Sequence, residues 1–165
     1  MVKDDRGIPV YANYYDLTPK NKYLKIVGHG IHHTSIEIYK QEFYFVGADS
    51  SLTGVDVGPA KVCPLQNCVF SKSVLLGYTK LTKNEIQDLI NEISKEYPAN
   101  SYNLIYKNCN HFADDFARRL VGKSIAGWAN RSARMAASLP CFFPRERFDV
   151  NYLSGEIGIR NKDDE

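Results

Sequence analysis

The chain of 165 residues has no apolar run near the roughly 20 residues that a membrane span needs. Its opening, Met1-Val2-Lys3-Asp4-Asp5-Arg6, leads into no apolar stretch of a secretory signal, and its ending is no prenylation motif. Charge of one sign is missing as well. Twenty-one Lys and Arg stand against 19 Asp and Glu, and a net charge of +2 offers no basic stripe for nucleic acid. Cysteine is sparse at four residues, too few for a small disulfide scaffold. Cys63 and Cys68 form one loose pair, whereas a zinc site usually needs two tight ones, so no metal is expected. The chain is therefore read as cytoplasmic, with access to the nucleus, with its cysteines as thiols, and with no cofactor, nucleic-acid partner or transmembrane segment.

What is present is ordinary for a globular domain, with 44% hydrophobic and 24% charged residues and enough length for a core of its own. Residues 1–9 read as a flexible lead-in. Val10 to Tyr15 reads as a strand, and Tyr23 to Val27 as a short apolar segment. From Ile31 to Tyr39 the pattern alternates: His33, Ser35, Glu37 and Tyr39 share one face, Thr34, Ile36 and Ile38 the other. A turn at Lys40-Gln41-Glu42 then makes a hairpin with Phe43 to Val46. Residues 47–64 read as loop with one short strand, followed by strands at Val69-Phe70 and Ser73 to Tyr78. Thr82-Lys83-Asn84-Glu85 is a capping box, and Ile86, Leu89, Ile90, Ile93 and Tyr97 follow at helical spacing up to Pro98. A second helix is predicted from Asn108 to Leu120, with Gly122 just beyond its end. Residues 125–138 predict one or two short helices, and 145–165 a tail. With no repeat and no linker, this is a single α+β domain over residues 10–144.

Chemistry concentrates at Lys107-Asn108-Cys109-Asn110-His111-Phe112. Cys109 stands where the second helix begins, and unpaired N–H groups at a helix N-terminus favour a thiolate, the nucleophilic form. A thiol hydrolase also needs a base and donors for the oxyanion. The base is sought in Gly28-His29-Gly30-Ile31-His32-His33-Thr34. His33 is the best placed, on a strand and facing Ser35 and Glu37; His32 points the other way. His111 is two residues from Cys109, which on a helix turns it about 200° away. The alternative is that Cys109 is a small buried hydrophobe.

The segment Gly28-x-Gly30-Ile31-x-His33-Thr34-Ser35-Ile36-Glu37-Ile38-Tyr39, with Glu42-Phe43-x-Phe45, resembles the histidine motif of the PPPDE family, which contains the desumoylating isopeptidases. Tyr102 to Phe112 resembles its cysteine motif, Tyr14-Tyr15-Asp16-Leu17 its first strand, and Leu75-Leu76-Gly77 a central one. Gly122-Lys123-x-Ile125 and Trp128-x-Asn130-Arg131 are similar to the subgroup of the second human desumoylating isopeptidase. The resemblance implies a circularly permuted papain-like fold, a small antiparallel β-sheet or barrel packed against helices. It implies catalysis by Cys109 and His33, with conjugates of ubiquitin or a SUMO-like modifier as substrates, and a possible homodimer. Two further readings stay open: a thioesterase acting on S-acylated (palmitoylated) proteins, and a non-catalytic binding module. The chain departs from the family pattern at His32, where an aromatic residue is common.

Overall fold

In a computed structural model, residues 6–17, 32–63, 65, 68–141, 144 and 148 are described. The apolar segment from Tyr23 to Val27, His29 in its Gly-rich turn and nearly all of 145–165 lie outside those residues. Five strands form one antiparallel sheet: β1 (Ile8–Asp16), β2 (His32–Ile38), β3 (Gln41–Phe45), β4 (Val55–Pro59) and β5 (Val69–Thr79), in the order β4-β3-β2-β1-β5. Helices α1 (Lys83–Glu96), α2 (Cys109–Val121) and α3 (Arg131–Ala137) complete the domain. This is a mixed α+β architecture with a five-stranded sheet packed against helices.

Several elements follow from local chemistry. Thr82 and Glu85 close the capping box of α1 reciprocally, and Ile86, Ile90 and Ile93 bury one stripe of it. α2 ends at Gly122 in the left-handed conformation, φ 69°, which glycine adopts without a Cβ penalty. Other boundaries differ from expectation. The two strands sought between Val69 and Tyr78 are one 11-residue strand, which pairs with β1 along its whole length through two register shifts. The hairpin turns at Tyr39-Lys40, both with positive φ (53° and 63°), rather than at Lys40 to Glu42. A two-residue loop of that kind matches the twist of its strands and outweighs the strain on two non-glycine residues. Glu42 thereby enters β3, directly opposite Glu37.

The centre of the sheet is buried on both faces, and all seven residues of β2 are inside. On one face Val10, Ala12, Tyr14, Ile36, Ile38, Phe43 and Phe45 join Phe112 and Phe116 of α2 in the main core. Phe116 meets Phe43 edge-on at 5.8 Å and stacks on Phe112 at 5.7 Å. The opposite face is polar. Glu42, fully buried, accepts from both Tyr15 Oη–H (2.7 Å) and Ser35 Oγ–H (2.6 Å), from the Lys61 main-chain N–H (2.6 Å) and from Asn13 Nδ2. Asn13 also donates to Glu37 at 2.7 Å, so one amide bridges the facing carboxylates. A buried carboxylate persists because every approach to it is a donor.

One reading from composition is corrected here. Cys63 and Cys68 are joined as a disulfide, their Cα atoms 6.2 Å apart, rather than being two thiols. Cys109 and Cys141 are the free cysteines of the described residues.

Candidate active site

Cys109 is the first residue of α2, and a tight loop delivers it there. Asn103 and Lys107 exchange main-chain hydrogen bonds (2.9 and 3.0 Å), and Asn103 Oδ1 accepts from the N–H groups of Ile105 and Tyr106. The chain then reverses straight into Asn108, the N-cap of α2. Asn108 Oδ1 accepts from the N–H groups of Asn110 (2.9 Å) and His111 (3.1 Å), while Asn108 Nδ2 donates to the Leu104 carbonyl and Asn130 Oδ1. His111 Nδ1 accepts from the Asn108 N–H at 3.0 Å and closes the capping box. His111 is therefore a helix-cap residue, and its ring is committed to the first turn.

The sulfur of Cys109 is buried and lined with donors: the main-chain N–H groups of Thr34, Asn110 and Cys109 itself, and the hydroxyl of Tyr102. Burial nonetheless dominates and raises the thiol above its ordinary value, with those four donors opposing it. The helix N-terminus does act on the sulfur, but exclusion of water outweighs it, and the resting form is the thiol. Thr34 reaches the sulfur because β2 pairs with β3 only from Ile36 onward, leaving the inner edge of residues 32–35 unpaired by β3.

A cavity of about 200 Å3 opens on Cys109. It is walled by Leu17, Leu104, Ile105, Ala129, Ala133, Ala136 and Phe148, with His32, Tyr102, Asn108, Asn110, Asn130 and Ser132 supplying polar atoms. Loop 122–130 is pinned in place by Tyr14 Oη, which accepts from the Ala126 N–H (2.9 Å), and by Asp114, which accepts from the Ile125 N–H (3.0 Å). Asn110 Nδ2 ties this loop to β2, donating to the Ala129 and His32 carbonyls, both at 3.2 Å.

The two adjacent histidines lie on opposite faces of β2, as strand alternation demands. His32 lines the cavity. Its Nδ1 is 3.1 Å from Asp16 Oδ1, and its ring stands edge-on to Trp128 at 4.9 Å. His33 lies in the other layer, its ring 5.9 Å from both Tyr15 and Tyr44. Burial alone pushes His33 down to about 4 from 6.5, so its imidazole is neutral at physiological pH, and among the described residues its Nε2 has no hydrogen-bond partner. The link between His33 and the thiol runs through its neighbour, Thr34, whose N–H meets the sulfur. Sequence reasoning gave no role to Tyr102 or Asp16 and turned His32, which lines the cavity, away from the thiol. The only signals for them were a tyrosine seven residues before the cysteine and an acid facing a histidine across two strands.

A cysteine heading a helix that is lodged against an antiparallel sheet is the layout of the papain-like thiol hydrolases. Residues 8–146 match the family described as "PPPDE putative peptidase domain", and the chain belongs to that family. It is 39% identical over 136 residues to a DeSI-like protein of Arabidopsis thaliana, covering 82% of this chain and 60% of that protein. It is 35% identical over 137 residues to the desumoylating isopeptidase 1 homolog of Caenorhabditis elegans, covering 82% of this chain and 41% of the relative. Similarity to the DeSI-like protein sdu1 of Schizosaccharomyces pombe is 34% over 136 residues, covering 79% and 67%. The chain thus spans about half the length of the first two. Among the described residues, no helix is long and apolar enough to cross a membrane, and no group of three or more metal-ligating side chains is gathered.

Proposed function

We propose that this protein is a cysteine isopeptidase that removes SUMO-like modifiers or ubiquitin from lysine side chains, with Cys109 as nucleophile and His33 as base. The observation that carries the reading is the Cys109 sulfur, set at the head of α2 among hydrogen-bond donors and open to a cavity. Membership of a peptidase family whose relatives are named desumoylating isopeptidases supports it. In this reading the thiol loses its proton to the base as sulfur attacks the isopeptide carbonyl. The C=O pair moves onto oxygen, and on collapse the C–N bond breaks with the proton returned to the lysine amine. Water then hydrolyses the thioester. His33 is neutral and, among the described residues, its Nε2 has no hydrogen-bond partner, but its ring lies across β2 from the cavity, so the probe experiment below decides whether it or His32 takes the proton.

Two observations favour variants of this reading. His32 lines the cavity with Asp16 at its Nδ1, an arrangement that would orient an imidazole toward the thiol and make His32 the base. The mostly apolar wall beside Cys109 would suit an acyl chain and an S-acyl thioesterase. Electrophilic probes built on the C-termini of SUMO and of ubiquitin decide among them, read by intact mass on wild type, Cys109→Ala, His33→Ala and His32→Ala. One adduct that needs Cys109 and His33 supports the dyad. An adduct that survives His33→Ala but not His32→Ala transfers the base to His32. No adduct, with turnover of a palmitoyl thioester, replaces isopeptidase by thioesterase; neither activity in wild type leaves a binding module.

A further inference from the structure

We propose that the Tyr102 hydroxyl is a catalytic group of the Cys109 site: it holds the sulfur at rest and donates to the carbonyl oxygen when that oxygen takes up negative charge. The inference rests on the thiol-hydrolase reading above. Tyr102 lines the same cavity as Cys109, and its hydroxyl is hydrogen-bonded to the sulfur itself. It is therefore in contact with one of the reacting atoms.

The framework around Tyr102 is built to hold that contact. Its ring packs on Phe45 at 5.1 Å, which fixes it to the main core. Its N–H donates to the Ala99 carbonyl, closing a 3-10 turn over Ala99–Ser101. The next residue, Asn103, starts the hydrogen-bonded loop that returns the chain to Asn108, and Asn108 Nδ2 clamps that loop at the Leu104 carbonyl. Tyrosine and cysteine, seven residues apart, are thus two ends of one rigid reversal. A donor whose ring is already fixed beside the reacting atoms has only its O–H to turn when charge develops, and a small reorganisation is where electrostatic catalysis draws its advantage.

The hydroxyl is also in the right protonation state. Burial, and then the neighbouring thiol, hold the tyrosine well above its ordinary value, so at neutral pH it is a neutral donor and never a competing base. During attack the sulfur pair forms the C–S bond and the C=O pair moves to oxygen. That oxygen lies one bond from the carbon under attack, so a donor that faced the sulfur swings to it by rotating about its C–O bond. No proton leaves Tyr102. The helix-start N–H groups of Cys109 and Asn110 complete the set of donors.

The test is Tyr102→Phe, which removes one oxygen and keeps the ring. Alkylation of Cys109 by iodoacetamide is followed against pH by intact mass, beside turnover of a SUMO or ubiquitin C-terminal substrate. The variant should melt like wild type, alkylate about tenfold more slowly at pH 7 with its midpoint moved upward, and lose about a hundredfold in kcat with little change in KM. An unchanged alkylation profile overturns the inference, whether or not turnover falls. If the wild type cleaves no modifier substrate, the isopeptidase reading fails, while the alkylation profile still judges the hydroxyl. Should Tyr102→Phe melt early, 3-fluorotyrosine at position 102 carries the test, since it acidifies the hydroxyl without changing its place. A lower alkylation midpoint then supports the inference, and an unmoved one refutes it.

Discussion

Replacing Asn108 by alanine should damage the protein and its thiol together, because this buried side chain makes four hydrogen bonds at the start of α2. Two are accepted from the N–H groups of Asn110 and His111, and two are donated to the Leu104 carbonyl and Asn130 Oδ1. Loss of the N-cap costs about 1–2 kcal/mol. Leaving the part-buried Leu104 carbonyl and Asn130 oxygen without that donor adds about 1–2 kcal/mol more. The expected total is about 2–4 kcal/mol, a large share of the stability of a domain this size. Asn108→Asp separates the two roles. Its carboxylate keeps both cap acceptors and suits the helix dipole, recovering about 1 kcal/mol, yet it sets a negative charge beside Cys109 and should slow alkylation of the thiol below the alanine variant. Urea unfolding, compared at constant m, reads the stability, and iodoacetamide labelling near neutral pH reads the thiol. An alanine variant within about 0.5 kcal/mol of wild type would refute the cap argument, and an aspartate variant that alkylates as fast as wild type would refute the electrostatic one.

Other outcomes follow from the same geometry. His33 is held at about 4 when folded against 6.5 unfolded, so the unfolded chain binds the extra proton between those values. Stability from this group is full above pH 6.5 and falls by about 3 kcal/mol as pH drops to 4; His33→Gln should flatten that slope in chemical unfolding. Glu42→Gln turns an amide N–H toward the Tyr15 and Ser35 hydroxyls and the Lys61 N–H, and should cost about 2–3 kcal/mol in the same assay. Gly122→Ala meets no atom within 4 Å but places a Cβ at φ 69°, so it should lower stability by about 1 kcal/mol without touching thiol reactivity. Cys109→Ala should remove all hydrolysis and leave the melting temperature within a few degrees, since one small buried side chain replaces another.

The sequence by itself was enough to determine α1 with its capping box, α2 with Cys109 at its head and Gly122 at its end, the alternation of β2, and the family. These are short-range properties: caps, periods of 3.6 and 2, and a motif read along the chain. Alternation also established that His32 and His33 face opposite ways. It could not say which of them lines the cavity beside the thiol, because β2 is buried on both sides and carries no amphipathic signal. That choice was made by the docking of α2 on the Ile36 and Ile38 face, a matter of how distant apolar stripes pack. The Cys63–Cys68 bond, the burial of Glu42 beneath Tyr15 and Lys61, and the meeting of Tyr102 with the sulfur belong to the same class. Each joins groups whose approach depends on the path of the chain between them. The net effect on the thiol was settled there too: the helix start is visible in the sequence, but the desolvation that outweighs it exists only once the cavity walls have closed around the sulfur.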